Sequence, residues 1–160
     1  LAKLYAEAKH GSLPNLSIVN VRVFNYFSHT QDMNARFLIT DILRAIKNKE
    51  VFKTSADNIV RDFITPPDFY NLVQAIIDFK HTNIALDCYT KSPVLKFDLL
   101  SKLEDKFALK YTVDPLADII NSTGIKANYY STNAIAGDIG YVPKFTSLEG
   151  IVQEFYLLDL

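Results

Sequence analysis

Apolar residues along this chain switch between a spacing of two and a spacing near 3.6, which predicts strands alternating with helices. Leu1 to His10 reads as the end of a helix: Ala2, Lys3, Leu4, Ala6, Glu7, Ala8 and Lys9 favour it, and Gly11 with Pro14 stops it. No capping residue precedes it, so a further part of the protein is expected upstream. Ser17 to Phe24 follows as a strand, with Val19, Val21 and Val23 on one face and Ile18, Asn20, Arg22 and Phe24 on the other. Apolar residues on both faces suit a strand inside a covered sheet. Asn25 lies at its carboxyl end, the edge where open α/β sheets bind ligands.

Asn34 to Lys47 is an amphipathic helix with Leu38, Ile42, Ala45 and Ile46 on one stripe. A short strand at Val51 and Phe52, a polar turn from Ser55 to Asn58 and an extended piece from Ile59 to Ile64 come next. Thr65-Pro66-Pro67-Asp68 marks a helix start: Thr caps, Pro opens the first turn, and an acidic residue stands three positions on. Phe69, Leu72, Val73, Ile76 and Ile77 then bury one face. Further on, Ile84 to Tyr89 reads as a strand, Val94 to Phe107 as a helix and Lys110 to Val113 as a brief strand. Asp118 to Asn128 is poorly patterned and loop-like. A short helix leads to Gly140-Tyr141-Val142-Pro143, and the last helix opens on Thr146 capped against Glu149. With no repeat or linker, the pattern is α/β.

Composition narrows the partners. Of 160 residues, 49% are hydrophobic and 22% charged, as in an ordinary globular protein, and the net charge is −1. That balance argues against a nucleic-acid partner, whereas one bound nucleotide needs only a local cation or two. Nothing resembles a secretory signal or a spanning segment, so no membrane partner is expected and the cytoplasm is the default compartment. The single cysteine, Cys88, sits in an apolar run and reads as a small core residue. His10, His29 and His81 lack metal-ligand spacing and read as surface or loop residues, so no metal site is expected. Glu104, Asp105, Asp114 and Asp118 read as a solvated face and loop. The five glycines form no phosphate-binding loop, so any dinucleotide would be held mainly by residues outside the chain.

Several stations, in order, resemble the extended short-chain dehydrogenase/reductases, the family of NAD-dependent sugar-nucleotide epimerases and dehydratases. Ala2-Lys3-Leu4-Tyr5-Ala6-Glu7 resembles the tail of Y-x-x-[SA]-K-x-x-A-E, with the tyrosine two residues upstream of Leu1. One helical turn would then set Lys3 beside that phenol, favouring phenolate. By the resemblance Lys3 is catalytic and also holds the nicotinamide ribose; its alternative is an ordinary surface lysine. Arg22-Val23-Phe24-Asn25-Tyr26-Phe27 resembles R-x-F-N-x-[YF]-G, which implies Phe24 beside the nicotinamide and Asn25 on the sugar nucleotide. Asn25 as a plain turn residue stays open, and Ser28-His29 departs from the usual Gly-Pro. Arg36 and Phe37 fall where relatives contact substrate, although an Asp32–Arg36 ion pair is an even rival. Arg61-Asp62-Phe63-Ile64, with Pro66 and Asp68 beyond, resembles R-D-[FWY]-[IV]-[YH]-V-x-D and is the most specific match. It implies that Arg61 grips the nucleotide diphosphate, a task its planar fork suits; the alternative is an Arg61–Asp62 structural network. Phe52 could stack on the base or simply pack in the core. Gly140-Tyr141-Val142-Pro143 with Ser147-Leu148-Glu149-Gly150-Ile151 resembles the closing L-G-[WY]-x-P…S-L-E-E-G-[LI] segment. No arginine follows Arg61, and Lys126 is a weak substitute for the second diphosphate-binding arginine of many relatives.

The resemblance implies the C-terminal portion of a Rossmann-type enzyme: its last parallel strands plus a small α/β substrate-binding lobe. Residues 1–28 would be the end of the catalytic helix and a sheet strand. Residues 29–160 would be mainly the substrate-binding lobe, with a strand near 84–89 returning to the sheet. The expected function is the substrate-binding half of an enzyme that transiently oxidises a nucleotide-linked hexose. NAD, or NADP, would be bound mainly by the N-terminal half, a nucleotide-diphosphate sugar would be the partner, and the parent would be a homodimer. Alone, the chain is expected to be inactive. Two alternatives stay open: a non-catalytic sugar-nucleotide-binding module, and an NAD(P)-dependent reductase of a small carbonyl substrate.

Overall fold

Parallel strands cannot be joined by tight turns, so each pairing here is bridged by helix or by a long excursion of chain. The computed structural model describes residues 1–80, 82–114 and 127–160. In chain order the elements are α1 (Ala2–Gly11), β1 (Ile18–Arg22), β2 (Asn25–Tyr26), α2 (Leu38–Asn48), β3 (Val51–Thr54), β4 (Val60–Arg61), β5 (Phe63–Ile64) and α3 (Pro66–Asp78). Then come β6 (Asn83–Asp87), β7 (Val94–Leu95), α4 (Lys96–Phe107), β8 (Lys110–Val113), β9 (Asn128–Tyr129), a 3-10 turn (Ile135–Ile139) and α5 (Ser147–Tyr156). Strand β6 returns to lie parallel to β1, with Ile18 opposite Asn83 and Arg22 opposite Asp87. The pairs β2–β5, β3–β8 and β4–β9 are also parallel, and β4–β7 is antiparallel. The expected mixed α/β architecture is present. Among the described residues no helix is long and apolar enough to cross a membrane.

Two apolar clusters fill the interior. In the first, Ile42 and Leu43 of α2, Leu99, Leu100 and Leu103 of α4, and Ile151 and Phe155 of α5 close around Phe27 and Phe63. Phe155 meets Phe27 at 5.7 Å and Phe107 at 5.2 Å between ring centroids. The second lies between α3 and the β1–β6 pair: Leu72, Leu86, Ile64, Cys88 and Tyr141. Cys88 is therefore a core residue, and burial pushes its thiol pKa up to about 12. Such a thiol is inert.

Local signals set most boundaries, and tertiary contacts shift the rest. Thr146 and Glu149 form the expected capping box: Thr146 N–H donates to the Glu149 carboxylate at 2.8 Å, and Glu149 N–H to Thr146 Oγ1 at 3.2 Å. The Thr65 cap is different. Its side chain makes no cap bond, and Asp68 instead accepts from the Lys144 and Phe145 N–H groups at 2.8 and 3.1 Å, so it fastens the approach to α5. Helix α2 begins at Leu38 rather than Asn34, because Asp32 folds an Asx turn onto Asn34 N–H (2.9 Å) and Thr40 Oγ1 accepts from Phe37 N–H (3.1 Å). The piece from Ile59 to Ile64 is two strands broken at Asp62.

Burial departs from the periodicity at some ends. β1 is half-buried rather than covered on both faces, since β6 is its one described neighbour. Ile77 and Tyr156 are exposed. His29 is not a loose loop residue: its Nδ1 and its backbone N–H both lie 2.8 Å from the buried Glu154 carboxylate. His81 lies outside the described residues, as does most of the loop expected from Asp118 onward.

Gly150 puts α5 directly against Thr65. A Cβ there would stand 2.9 Å from Thr65 Oγ1 and 3.1 Å from its Cγ2, and Thr65 is itself buried. Gly150→Ala should therefore cost about 1–3 kcal/mol by overpacking, read as a lower urea midpoint at unchanged slope. Gly137→Ala, whose Cβ would meet only Tyr89 Oη at 3.6 Å, is the control. Equal midpoints for the two variants would contradict this packing.

Candidate functional site

Arg61 sits on β4 between two partners, opposite Val94 on antiparallel β7 and opposite Tyr129 on parallel β9. Alternation along the strand gives Ile59, Arg61 and Phe63 one face, and cross-strand pairing adds Val94 to it. With Leu38, Lys96 and Leu99 these residues line a narrow crevice too tightly packed to hold a water molecule. The Arg61 guanidinium donates to the Val60 carbonyl at 2.8 Å and the Ala127 carbonyl at 3.2 Å. Burial pushes its pKa down, but a guanidinium starts so high that it stays charged at neutral pH. Leu38, on its lining, is the first residue of α2. Arg36 and Phe37 immediately precede it and are exposed.

What holds Arg61 in place is its neighbour. The buried Asp62 carboxylate accepts from Thr90 Oγ1 at 2.5 Å, Thr90 N–H at 3.0 Å and Ser147 Oγ at 2.7 Å. Ser147 in turn accepts from Phe63 N–H at 2.6 Å. The expected Arg61–Asp62 alternative is thus only half met. Asp62 does anchor a network, but with Thr90 and Ser147.

Phe24 and Asn25 converge on the same strands. Asn25 Nδ2 donates to the Asp62 carbonyl at 3.0 Å, which ties the start of β2 to the Arg61-Asp62 segment. The Phe24 ring stands edge-on to Tyr129 with centroids 5.2 Å apart, and Tyr129 faces Arg61 across β4–β9. Lys3 follows from the run of α1 against β1. His10 Nδ1 meets Asn20 Oδ1 at 2.6 Å, and Glu7 pairs with Arg22, so helix and strand are antiparallel. Lys3 lies one helical turn before Glu7 on α1 and is exposed.

Not every expected residue joins the crevice. Phe52 is half-buried against the first core cluster and does not line it. Arg36 makes no ion pair with Asp32, whose carboxylate takes Asn34. Lys126 lies outside the described residues. Conversely, Lys96, Tyr129, Thr90 and Ser147 went unnoticed as site residues. Lys96 had a signal: strand alternation from Val94 would have put it on the Arg61 face. The others depend on pairings between distant segments.

No family model and no curated protein matches the chain. Solved structures do. UDP-glucuronic acid 4-epimerase from Bacillus cereus, in complex with UDP-glucuronic acid and NAD, is 15% identical with a TM-score of 0.71, covering 89% of this chain and 45% of that one. MoeE5, in complex with UDP-glucuronic acid and NAD, is 18% identical with a TM-score of 0.76, covering 97% and 52%. UDP-glucose 4-epimerase from Thermotoga maritima, with UDP-glucose, is 16% identical with a TM-score of 0.72, covering 97% and 50%. The chain spans about half the length of these structures, and the likeness is one of fold: it matches the C-terminal part of Rossmann-type epimerases. This is the fold that the resemblance to extended short-chain dehydrogenase/reductases implied.

Asp62→Ala would strand buried donors on Thr90 and Ser147, at a cost of about 3 kcal/mol or more in unfolding free energy. Asp62→Asn, which keeps an acceptor oxygen, should lose less. An alanine variant within about 0.5 kcal/mol of the parent would show that the network does not hold the site.

Proposed function

We propose that this chain is the substrate-binding half of an NAD-dependent epimerase or dehydratase acting on a nucleotide-linked hexose. One observation carries the reading. Phe24, Asn25 and Arg61, drawn from separate stretches of sequence, meet through Tyr129 and the Asp62 carbonyl. Arg61 binds the diphosphate through its planar fork, in a partly desolvated setting that strengthens the contact. Asn25 spends one N–H on Asp62, which leaves an N–H and a carbonyl oxygen to orient the sugar. Arg36 and Phe37, exposed just before α2, are further substrate contacts; Phe52 serves the core.

The dinucleotide fit is partial and one-sided. Phe24, edge-on to Tyr129, offers an aromatic wall, and Lys3 of α1 a cation, to a nicotinamide riboside. The five glycines supply no loop for its pyrophosphate. When bound, NAD supplies reversible hydride transfer at one sugar carbon. Lys3 would hold the ribose and keep a phenol contributed from outside the chain close to its ionised form, so that it can take the sugar hydroxyl proton. Asn25 and Arg61 would keep that carbon in place.

The test is Arg61→Ala in the whole gene product that carries this chain, titrated with UDP-, dTDP- and CDP-hexoses. Affinity for the preferred one should fall by ~2–5 kcal/mol, roughly thirtyfold or more in Kd. Unchanged affinity would contradict the reading and favour a reductase of a small carbonyl. Tight binding without turnover in the presence of NAD would leave a sugar-nucleotide module and no enzyme.

A further inference from the structure

A glutamate is almost never fully buried unless paired, because taking a carboxylate out of water is costly. Glu154 of α5 is only 3% exposed and directly precedes Phe155 of the first core cluster. Among the described residues both hydrogen bonds to its carboxylate come from His29, whose backbone N–H and ring Nδ1 each lie 2.8 Å from the same oxygen. Nδ1 needs a proton to stand there, and only the doubly protonated ring also brings a positive charge. No other cation does so. Arg44 of α2 is spent on Asp41 and the Met33 carbonyl, and Lys106 of α4 lies beside Asp105. Nearby acids are engaged elsewhere too: Glu149 of α5 caps Thr146, and Asp32 in the His29 loop takes Asn34. The His29 side chain is 37% exposed, so its ring exchanges protons with solvent.

The pair has leverage on the site. Residues 27–37 join β2, which carries Asn25, to α2, and end on the exposed Arg36 and Phe37. Neutral or permanently charged groups fix this loop at its two ends. Phe27 N–H donates to the Ile64 carbonyl at 3.0 Å, Arg44 to the Met33 carbonyl at 2.9 Å, and Thr40 Oγ1 to the Ala35 carbonyl at 2.6 Å. Between them His29 fastens the loop to α5, and histidine is the side chain whose charge changes within the physiological pH range.

We infer that the His29–Glu154 pair is a proton-dependent latch, which seats the loop on α5 and so holds Arg36 and Phe37 ready for the nucleotide sugar. The inference rests on the sugar-nucleotide reading above and deepens it. His29 is a positioning residue: it acts through the loop, which is ordered before the ligand arrives. The sign follows from linkage. The proton favours the seated loop, so affinity is highest at low pH and falls as the ring deprotonates; the ligand must in turn hold that proton more tightly.

The test uses the whole gene product and whichever of UDP-, dTDP- and CDP-glucose it prefers, ligands whose diphosphates do not titrate near neutral pH. By calorimetry, affinity should fall about fivefold or more between about pH 6 and about pH 8.5. His29→Asn, which keeps a neutral donor, and Glu154→Gln, which removes the buried charge, should both flatten that profile. In NMR titrations the His29 ring should hold its proton to higher pH when ligand is bound. If Glu154→Gln does not fold, His29→Asn, on the solvent side of the pair, decides alone. Variants that keep the parent's pH profile, even with a lower melting temperature, show a structural contact only; they overturn the latch and leave the sugar-nucleotide reading standing. A ligand that leaves the His29 titration unmoved does the same. A parent that binds no nucleotide hexose at either pH overturns both.

Discussion

The carboxylate of Asp62 gathers three hydrogen bonds from segments far apart in the chain: two from Thr90, after β6, and one from Ser147, at the start of α5. Because those donors pull the side chain inward, the extended piece from Ile59 to Ile64 must break there into β4 and β5. The break decides what its neighbours can do. Arg61 faces the crevice, Phe63 enters the first core cluster, and the Asp62 carbonyl is left to accept from Asn25. One buried carboxylate thus fixes the strand break that sets Arg61 and the Asp62 carbonyl in place. Buried polar networks of this kind give a single arrangement only when every member is satisfied, and this one is.

A chain with a net charge of −1 can still concentrate positive charge locally, because binding responds to local charge and local dielectric. Arg61 and Lys96 line one small crevice, and burial disfavours the charge on both. The apolar residues of the same crevice, Leu38, Val94 and Leu99, keep water from screening it.

Where the sequence was readable, the signal was local. The stripe of α2, the Thr146–Glu149 capping box and the Arg61-Asp62-Phe63-Ile64 motif each involve neighbours within a few residues, so pattern and structure agree. Where it was not, a distant partner took over. Asp62 and Ser147 are separated by 85 positions, and nothing near Asp62 announces the break. Asp68 looked like a helix-capping residue, yet it serves Lys144 and Phe145. Lys96 was hidden differently: a charged residue opening a helix reads as solvated, and only the β4–β7 register turns it inward. Phe52 carried too little pattern to separate stacking from packing, and the fold uses it for packing.

Where a nucleotide diphosphate sits relative to β4 decides the function. The most direct measurement is a crystal structure of the whole gene product with NAD and a bound UDP-hexose. Diphosphate oxygens within hydrogen-bond distance of the Arg61 guanidinium, with the sugar beside Asn25, is the predicted result. A diphosphate bound away from β4, with Arg61 still turned to the Val60 and Ala127 carbonyls, would contradict it.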